Sequence, residues 1–303
     1  MSIAAIVNPK AGGGKSAQVW ARARLQLTGS VETFETEAPG HAIELTAQAI
    51  KRGARTIVAV GGDGTINEVV NGFFEDEHLI SPETTLGIIP YGTGSDFCRI
   101  LDLPLDEKKA AAVIHSGSPH MVDLVKVRYT RMDGTNALRY SINVTSFGMG
   151  GAVAARANRS SKAFGGKISF LLATLETALS FSGNSVRLRL DQSTMIESKI
   201  TNVVIGNGQY HGAGMWVCPG ASIDDGLLEV TMIRYLSLIE FIKGLPALYN
   251  GAIYQHPKVQ THRVKRLEAD SKEPVLIEVD GEPLGRLPIE VCVLPRVMRV
   301  LIP

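Results

Sequence analysis

The chain has 303 residues, 45% of them hydrophobic, and its 31 basic side chains nearly cancel its 30 acidic ones. That length exceeds one average domain and points to two of medium size, while the balanced charge argues against a nucleic-acid partner. Three cysteines, Cys98, Cys218 and Cys292, stand far apart with no close-spaced Cys or His, which argues against a disulfide framework or a zinc site and fits a reducing, cytoplasmic setting.

The first predicted element is a strand over Ile3–Val7, since the opening residues lack the basic flank and long apolar core of a signal peptide. A basic, Gly-rich loop follows, Asn8-Pro9-Lys10-Ala11-Gly12-Gly13-Gly14-Lys15. It lacks the spacing of a Walker loop, so a plain turn and a phosphate loop both stay open. Residues Gly40–Lys51 carry apolar side chains at helical spacing, and Thr56–Val60 reads as a buried parallel strand. Directly after it comes Gly61-Gly62-Asp63-Gly64-Thr65-Ile66-Asn67-Glu68 and a helix predicted over Thr65–Phe74. Glycines at a strand-to-helix turn let backbone approach phosphate, the helix N-terminus favours its charge, Asp63 suits Mg²⁺, and Thr65 suits a helix cap. A third strand, Leu86–Ile89, leads into Tyr91-Gly92-Thr93-Gly94-Ser95-Asp96. Three such loops at the carboxyl ends of parallel strands converge on one nucleotide crevice.

Beyond Asp123 the rhythm changes to strands separated by turns: Val125–Tyr129, Ala137–Val144, Ser185–Leu190, Lys199–Ile205, Leu227–Ile233, Val275–Val279 and Ile289–Leu294. Helices are predicted over Lys167–Phe181 and Leu236–Tyr249, and the run Met298–Ile302 is β-prone and returns to the first domain. The expected fold class is therefore α/β: a doubly wound nucleotide-binding domain, residues 1–123 with about 296–303, plus an all-β sandwich domain, residues 124–295.

Taken in order, Asn8-Pro9 with its glycines, Gly61–Thr65, Gly92-Thr93 with Asp96, Asn207-Gly208, Asp225-Gly226 and Asp280-Gly281-Glu282 make the chain similar to the diacylglycerol kinase catalytic domain family. That family also holds sphingosine and ceramide kinases and bacterial soluble lipid kinases. The resemblance runs from Ile6 to about Leu284 and implies an active site between the two domains, with ATP and Mg²⁺ as cofactors and a lipid hydroxyl as acceptor. It implies ATP contacts at Asn8, Pro9, Lys10, Ala11, Gly12, Thr36, Gly61, Gly62, Asp63, Gly64, Thr65, Ile66, Asn67 and Thr93, with Asp63 and Asp96 placing metal or phosphates. It implies that Glu282 takes the hydroxyl proton with Asp280 as its neighbour or Mg²⁺ partner, the reverse assignment staying open. It also implies a structural Mg²⁺ held at Ser222, Asp225 and Leu227; a hairpin turn on Asp225-Gly226 is the plain alternative. Ser95 departs from the family's usual Asn, and His41 from its usual Asp.

A lipid acceptor requires docking on a membrane surface, because the most apolar stretch, Ile168–Phe181, contains Glu176 and is shorter than the roughly 20 residues of a membrane span. Arg156, Arg159, Lys162 and Lys167 precede it and suit an anionic interface, though a solvated loop before a core helix explains them too. The segment Tyr235–Tyr254 reads as sandwich packing. Asp123, near the domain junction, is expected either to pair with a lysine such as Lys15 or Lys167 or to be solvated. Rival readings are an NAD kinase, which shares the Gly-Gly-Asp-Gly loop, and a nucleotide or lipid sensor without catalysis. The acceptor lipid and the oligomeric state are not legible, a homodimer being compatible with the resemblance.

Overall fold

The computed structural model describes residues 2–92, 94–159, 166–193 and 195–303. The chain divides into two compact units, Met1–Asp123 with Arg296–Pro303, and Leu124–Pro295.

The first unit is built on parallel strands. Strand β1 (Ile3–Val7) is buried at every residue and pairs with β2 (Val31–Glu35) on one side and β3 (Thr56–Gly61) on the other. Strand β3 pairs with β4 (Thr85–Pro90), and β4 pairs with Arg299–Val300 of the last strand. Strand β2 escaped the sequence reading for a physical reason. Its residues Val-Glu-Thr-Phe-Glu are all exposed or only half-buried, so it lacks the continuous apolar run of its buried neighbours.

Helices α1 (Ser16–Arg24), α2 (His41–Lys51), α3 (Asp63–Asn71), α4 (Asp96–Ile100) and α5 (Glu107–Ser116) connect these strands. Helix α3 begins two residues before its predicted start, which puts Asp63 inside its first turn. The amide end of α2 is held by a carboxylate from α3: Glu68 accepts from the N–H of Gly40 at 2.9 Å and of Ala42 at 3.3 Å. Such a charge on first-turn amides both satisfies them and complements the helix dipole. Asp123 is fully buried rather than solvated, and its carboxylate accepts from the Arg296 N–H at 2.7 Å, fastening the point where the chain re-enters this unit.

The second unit is an antiparallel sandwich around Val125, Phe147, Ile200, Val203, Ile277 and Val291, all fully buried. Its strands are β5 (Ser118–Thr130, from Leu124 on), β6 (Asn136–Ser141), β7 (Val144–Gly148), β8 (Asn184–Leu190), β9 (Ile196–Gly206), β10 (Leu228–Arg234), β11 (Val259–Val264), β12 (Arg266–Asp270), β13 (Leu276–Val279) and the start of β14 (Glu282–Ile302). Strand β9 serves three partners: Ile196–Ile200 pairs with β8 and Asn202–Gly206 with β7, while β10 pairs with it from Ile200 to Gly206.

Helices α6 (Met149–Arg159), α7 (Gly166–Ser180) and α8 (Leu238–Gly244) interrupt the strands. Helix α6 was not expected, because two glycines follow its first residue and its apolar stripe, Met149, Val153 and Ala157, has only two large side chains. The single helix predicted over Leu236–Tyr249 ends instead at Gly244, and a separate turn over Ala247–Asn250 follows. Between them stands Pro246, which has no N–H to continue the ladder.

Candidate active site

The first-unit loops are tied to each other by side chains and by close backbone packing. The Asn8 side chain donates to Thr65 Oγ1 at 3.1 Å, and its own Oδ1 accepts from the Lys10 N–H at 3.0 Å. Ser16 Oγ donates to the Asn8 carbonyl and Ala11 N–H does so at 3.0 Å. Pro9 thus sits inside a braced turn. Lys10 Nζ donates to the Glu37 carbonyl at 3.3 Å, and the Thr36 N–H to the Val7 carbonyl at 2.9 Å. Gly12, Gly13 and Gly14 all have positive φ, from 57° to 87°, a conformation that favours glycine.

The loop after β3 meets the loop after β4 glycine on glycine. A Cβ on Gly92 would lie 2.6 Å from the Gly62 Cα, and a Cβ on Gly61 would lie 2.5 Å from Thr65 Oγ1. The Tyr91 N–H donates to the Gly61 carbonyl at 2.7 Å. Gly92→Ala must therefore push backbone against backbone, an overpacking worth about 1–3 kcal/mol. Isothermal titration should show ATP bound roughly tenfold more weakly by this variant, about 1.4 kcal/mol, and unchanged affinity would mean that the loops do not hold the nucleotide.

Thr65 does not cap α3: it is the third helical residue and receives the Asn8 amide. The N-cap is Gly62, which has no side chain to offer, the condition under which first-turn amides serve an anion. Ile66 and Asn67 are buried, so in this turn the backbone, not those two side chains, is what a phosphate can use. Gly64 lies between Asp63 and Thr65 in the same turn.

Asp63 Oδ1 accepts from the Phe97 N–H at 3.5 Å, which brings Asp63 to the first turn of α4, where Asp96 is 4% exposed. Burial, with the negative charges of Asp63 and Asp96, pushes the Cys98 thiol far above its usual range. Two carboxylates at one place form an oxygen-only set that suits Mg²⁺, so Asp63 and Asp96 would hold the ion and its charge would offset that of the phosphates. Thr93 lies outside the described residues.

Ser95 has φ +53°. Asn enters the left-handed region more readily than Ser, so the departure from the family's usual residue has a conformational price, and Ser95→Asn should raise stability by about 0.5–1 kcal/mol, read as a higher urea midpoint. His41 is the first residue of α2, and its Nδ1 accepts from the Glu37 N–H at 3.2 Å.

In the second unit, Asp280 and Glu282 flank Gly281 in a two-residue hairpin between β13 and β14, with Val279 paired to Glu282. Both central residues have positive φ, 48° at Asp280 and 86° at Gly281, the type I′ turn that Asp-Gly favours. The two carboxylates differ in what they touch. Asp280 is 8% exposed and accepts from Ser141 Oγ at 2.6 Å and from the N–H groups of Ile142 at 3.0 Å, Asn143 at 3.1 Å and Val144 at 2.9 Å. Four donors meet a group with about four lone-pair sites. This is also why Ala137–Val144 is not one strand: Asp280 takes the amides of Ile142 and Asn143 and bends the chain between β6 and β7. Glu282 is half-buried and takes a long 3.5 Å contact from Asn158 of α6.

The Asn207 side chain donates to the Ile142 carbonyl at 2.8 Å and the Gly208 N–H to the Asn143 carbonyl at 2.9 Å, so the Asn207-Gly208 pair supports the same bend. The proposed structural metal site fares differently. Asp225 carries the Arg263 guanidinium on Oδ2 and the Leu227 N–H at 2.9 Å on Oδ1, while Ser222 Oγ donates to Asp224 at 2.9 Å. In this arrangement the one carboxylate of the set is paired with the Arg263 guanidinium.

These halves match known proteins in the same order. Residues 2–127 match the model of the diacylglycerol kinase catalytic domain, and residues 143–302, more than half the chain, match that of the YegS C-terminal NAD kinase beta sandwich-like domain. The chain belongs to the family of YegS-like lipid kinases, with a diacylglycerol kinase catalytic domain in its first part. It is 28% identical over 305 aligned residues to a diacylglycerol kinase of Mycobacterium tuberculosis, covering 99% of this chain and 95% of that protein. It is 30% identical to the "Probable lipid kinase YegS-like" protein of Stenotrophomonas maltophilia, covering 90% and 87%. A crystal structure of a diacylglycerol kinase from Bacillus anthracis shares the fold at TM-score 0.72 and 20% identity, over all of this chain and 97% of that one. Yeast NADH kinase shares it at TM-score 0.58 and 14% identity, over all of this chain and 84% of that one. The fold is thus common to lipid and NADH kinases, and family membership places the chain with the lipid kinases.

Proposed function

We propose that the chain transfers the γ-phosphoryl group of ATP to a hydroxyl of a diacylglycerol-like lipid, with ATP and Mg²⁺ held by the first unit and Glu282 of the second acting as general base. The observation that carries this reading is the contrast within Asp280-Gly281-Glu282. Asp280 is committed to four donors, whereas Glu282 is half-buried with one long contact among the described residues. In the transfer, the lipid oxygen bonds to the γ-phosphorus, its proton passes to Glu282, and ADP leaves. Such a reaction depends on positioning and charge neutralisation more than on covalent chemistry.

Contact with a membrane surface is part of the proposal. No described helix is long and apolar enough to cross a membrane, yet Leu171, Leu172, Leu175 and Leu179 of α7 and Leu238, Ile239 and Ile242 of α8 are exposed. The residues of α8 therefore pack less than expected, although Phe241 does pack on the cluster of Met149, Val153 and Ala173. Arg156 pairs with Glu176 at 3.1 Å, Lys162 lies outside the described residues, and so do the side chains of Arg159 and Lys167.

Transfer of label from γ-labelled ATP to a panel of micellar lipids, with NAD in a parallel reaction, tests the reading. Label in a diacylglycerol-type lipid is expected. Label in NAD alone would overturn it.

A further inference from the structure

Glu278 has no part in the reaction just described, and its position is unusual. It interrupts the apolar strand Leu276-Ile277-Glu278-Val279 and is fully buried. A carboxylate so placed costs several kcal/mol unless it is well partnered. Burial pushes its carboxyl up, against the pull of His211. A residue kept under that penalty needs a reason, and its contacts supply one.

Oε2 accepts from the Gly281 N–H at 2.7 Å, and Oε1 lies 3.5 Å from His211 Nε2. Ser146 of β7 stands opposite Glu278 across the strand pair. In a two-residue hairpin the ladder closes between the residues flanking the turn, here Val279 and Glu282, and uses neither central amide. Both central amides are nonetheless claimed. The Asp280 N–H donates to the Val144 carbonyl at 2.8 Å, and the Gly281 N–H donates to Glu278. The register between β13 and β14 also slips at Ile277/Glu278, a bulge of the kind that re-aims a neighbouring side chain. The Gly281 N–H belongs to the Asp280-Gly281 peptide, one residue before Glu282, so its bond to Glu278 fixes the turn that leads into the candidate base. His211, in the short strand Tyr210–His211 that follows Asn207-Gly208, faces the other oxygen at 3.5 Å.

We propose that Glu278, braced by His211, is a positioning residue for phosphoryl transfer: it locks the Asp280-Gly281 turn and thereby holds the Glu282 carboxylate in its working orientation. This rests on the reading of Glu282 as the base. Without Glu278 the Asp-Gly turn still forms, but Glu282 samples several directions. A misplacement of about 1 Å at a reacting group can lower a rate about 100-fold.

The test compares wild type with Glu278→Ala, Glu278→Gln, His211→Gln and Glu282→Gln for kcat and both KM values on micellar lipid, together with melting curves and exchange of the Gly281 amide by nitrogen-15 NMR. Glu278→Ala should lower kcat about 10–100-fold, leave the KM for ATP unchanged and speed exchange of the Gly281 amide. Glu278→Gln, whose amide oxygen can still accept from Gly281, should recover most of the rate. Wild-type kcat in Glu278→Ala beside an inactive Glu282→Gln would overturn the positioning role alone, whereas wild-type kcat in Glu282→Gln would remove the base reading beneath it. Should Glu278→Ala fail to fold, His211→Gln decides: a lower kcat with unchanged melting supports the proposal, and wild-type kcat overturns it.

Discussion

Replacing Glu282 with Gln should lower kcat about 100- to 10,000-fold, the span that a positioned general base contributes, while ATP affinity and melting temperature stay at their wild-type values. The substitution keeps the size of the side chain and removes only its capacity to take a proton. Stability should be insensitive because Glu282 is half-buried and its one contact among the described residues, to Asn158, is 3.5 Å long. Nucleotide affinity should be insensitive because Glu282 is read as the acceptor of the lipid proton and not as an ATP contact. Single-turnover kinetics with labelled ATP and lipid would separate chemistry from binding. A fall in ATP affinity, or an unchanged rate of the chemical step, would remove Glu282 from the role of base.

The parallel half of the fold was legible because buried strands advertise themselves. Ile3–Val7, Thr56–Gly61 and Thr85–Pro90 are runs with almost no exposed residue, and each ends in a glycine-bearing loop. What was missed lay at edges and in half-polar segments. Strand β2 has only two apolar residues among Glu32, Thr33 and Glu35, while β11 and β12 carry Gln260, His262, Arg263, Arg266 and Glu268 among few apolar residues, so their pairing decides their structure more than their composition does. The motif glycines marked the loops, but not the ties between them. The Asn8 bond to Thr65 spans 57 positions and the Glu68 bond to Gly40 spans 28, separations over which no local pattern carries information. One clue was present and unused: Glu278 is the only charged residue in Val275–Val279, and a charge inside a buried strand asks for a partner.

Replacing Asp280 with Ala should destabilise the second unit by about 3–5 kcal/mol, since one hydroxyl and three backbone N–H groups lose a buried acceptor together and each such loss costs about 1–3 kcal/mol where water cannot compensate. Partial access of water at a site 8% exposed keeps the total below the simple sum. Asp280→Asn retains one acceptor oxygen and tolerates the positive φ of 48°, so it should lose less, about 1–3 kcal/mol. A loss of the larger size is about a fifth or more of the stability of an ordinary domain, and chemical denaturation of the two variants would show it as an ordered fall in midpoint, Ala below Asn below wild type. The bend at Ile142 and Asn143 exists because Asp280 takes its amides, so the second expected signature is faster amide exchange at Ile142, Asn143 and Val144. Rate per folded molecule then distinguishes the two carboxylates of the motif. If Asp280→Asn kept wild-type stability and lost only kcat, Asp280 would be the chemical group and Glu282 its neighbour; the hydrogen bonds around Asp280 predict the opposite order.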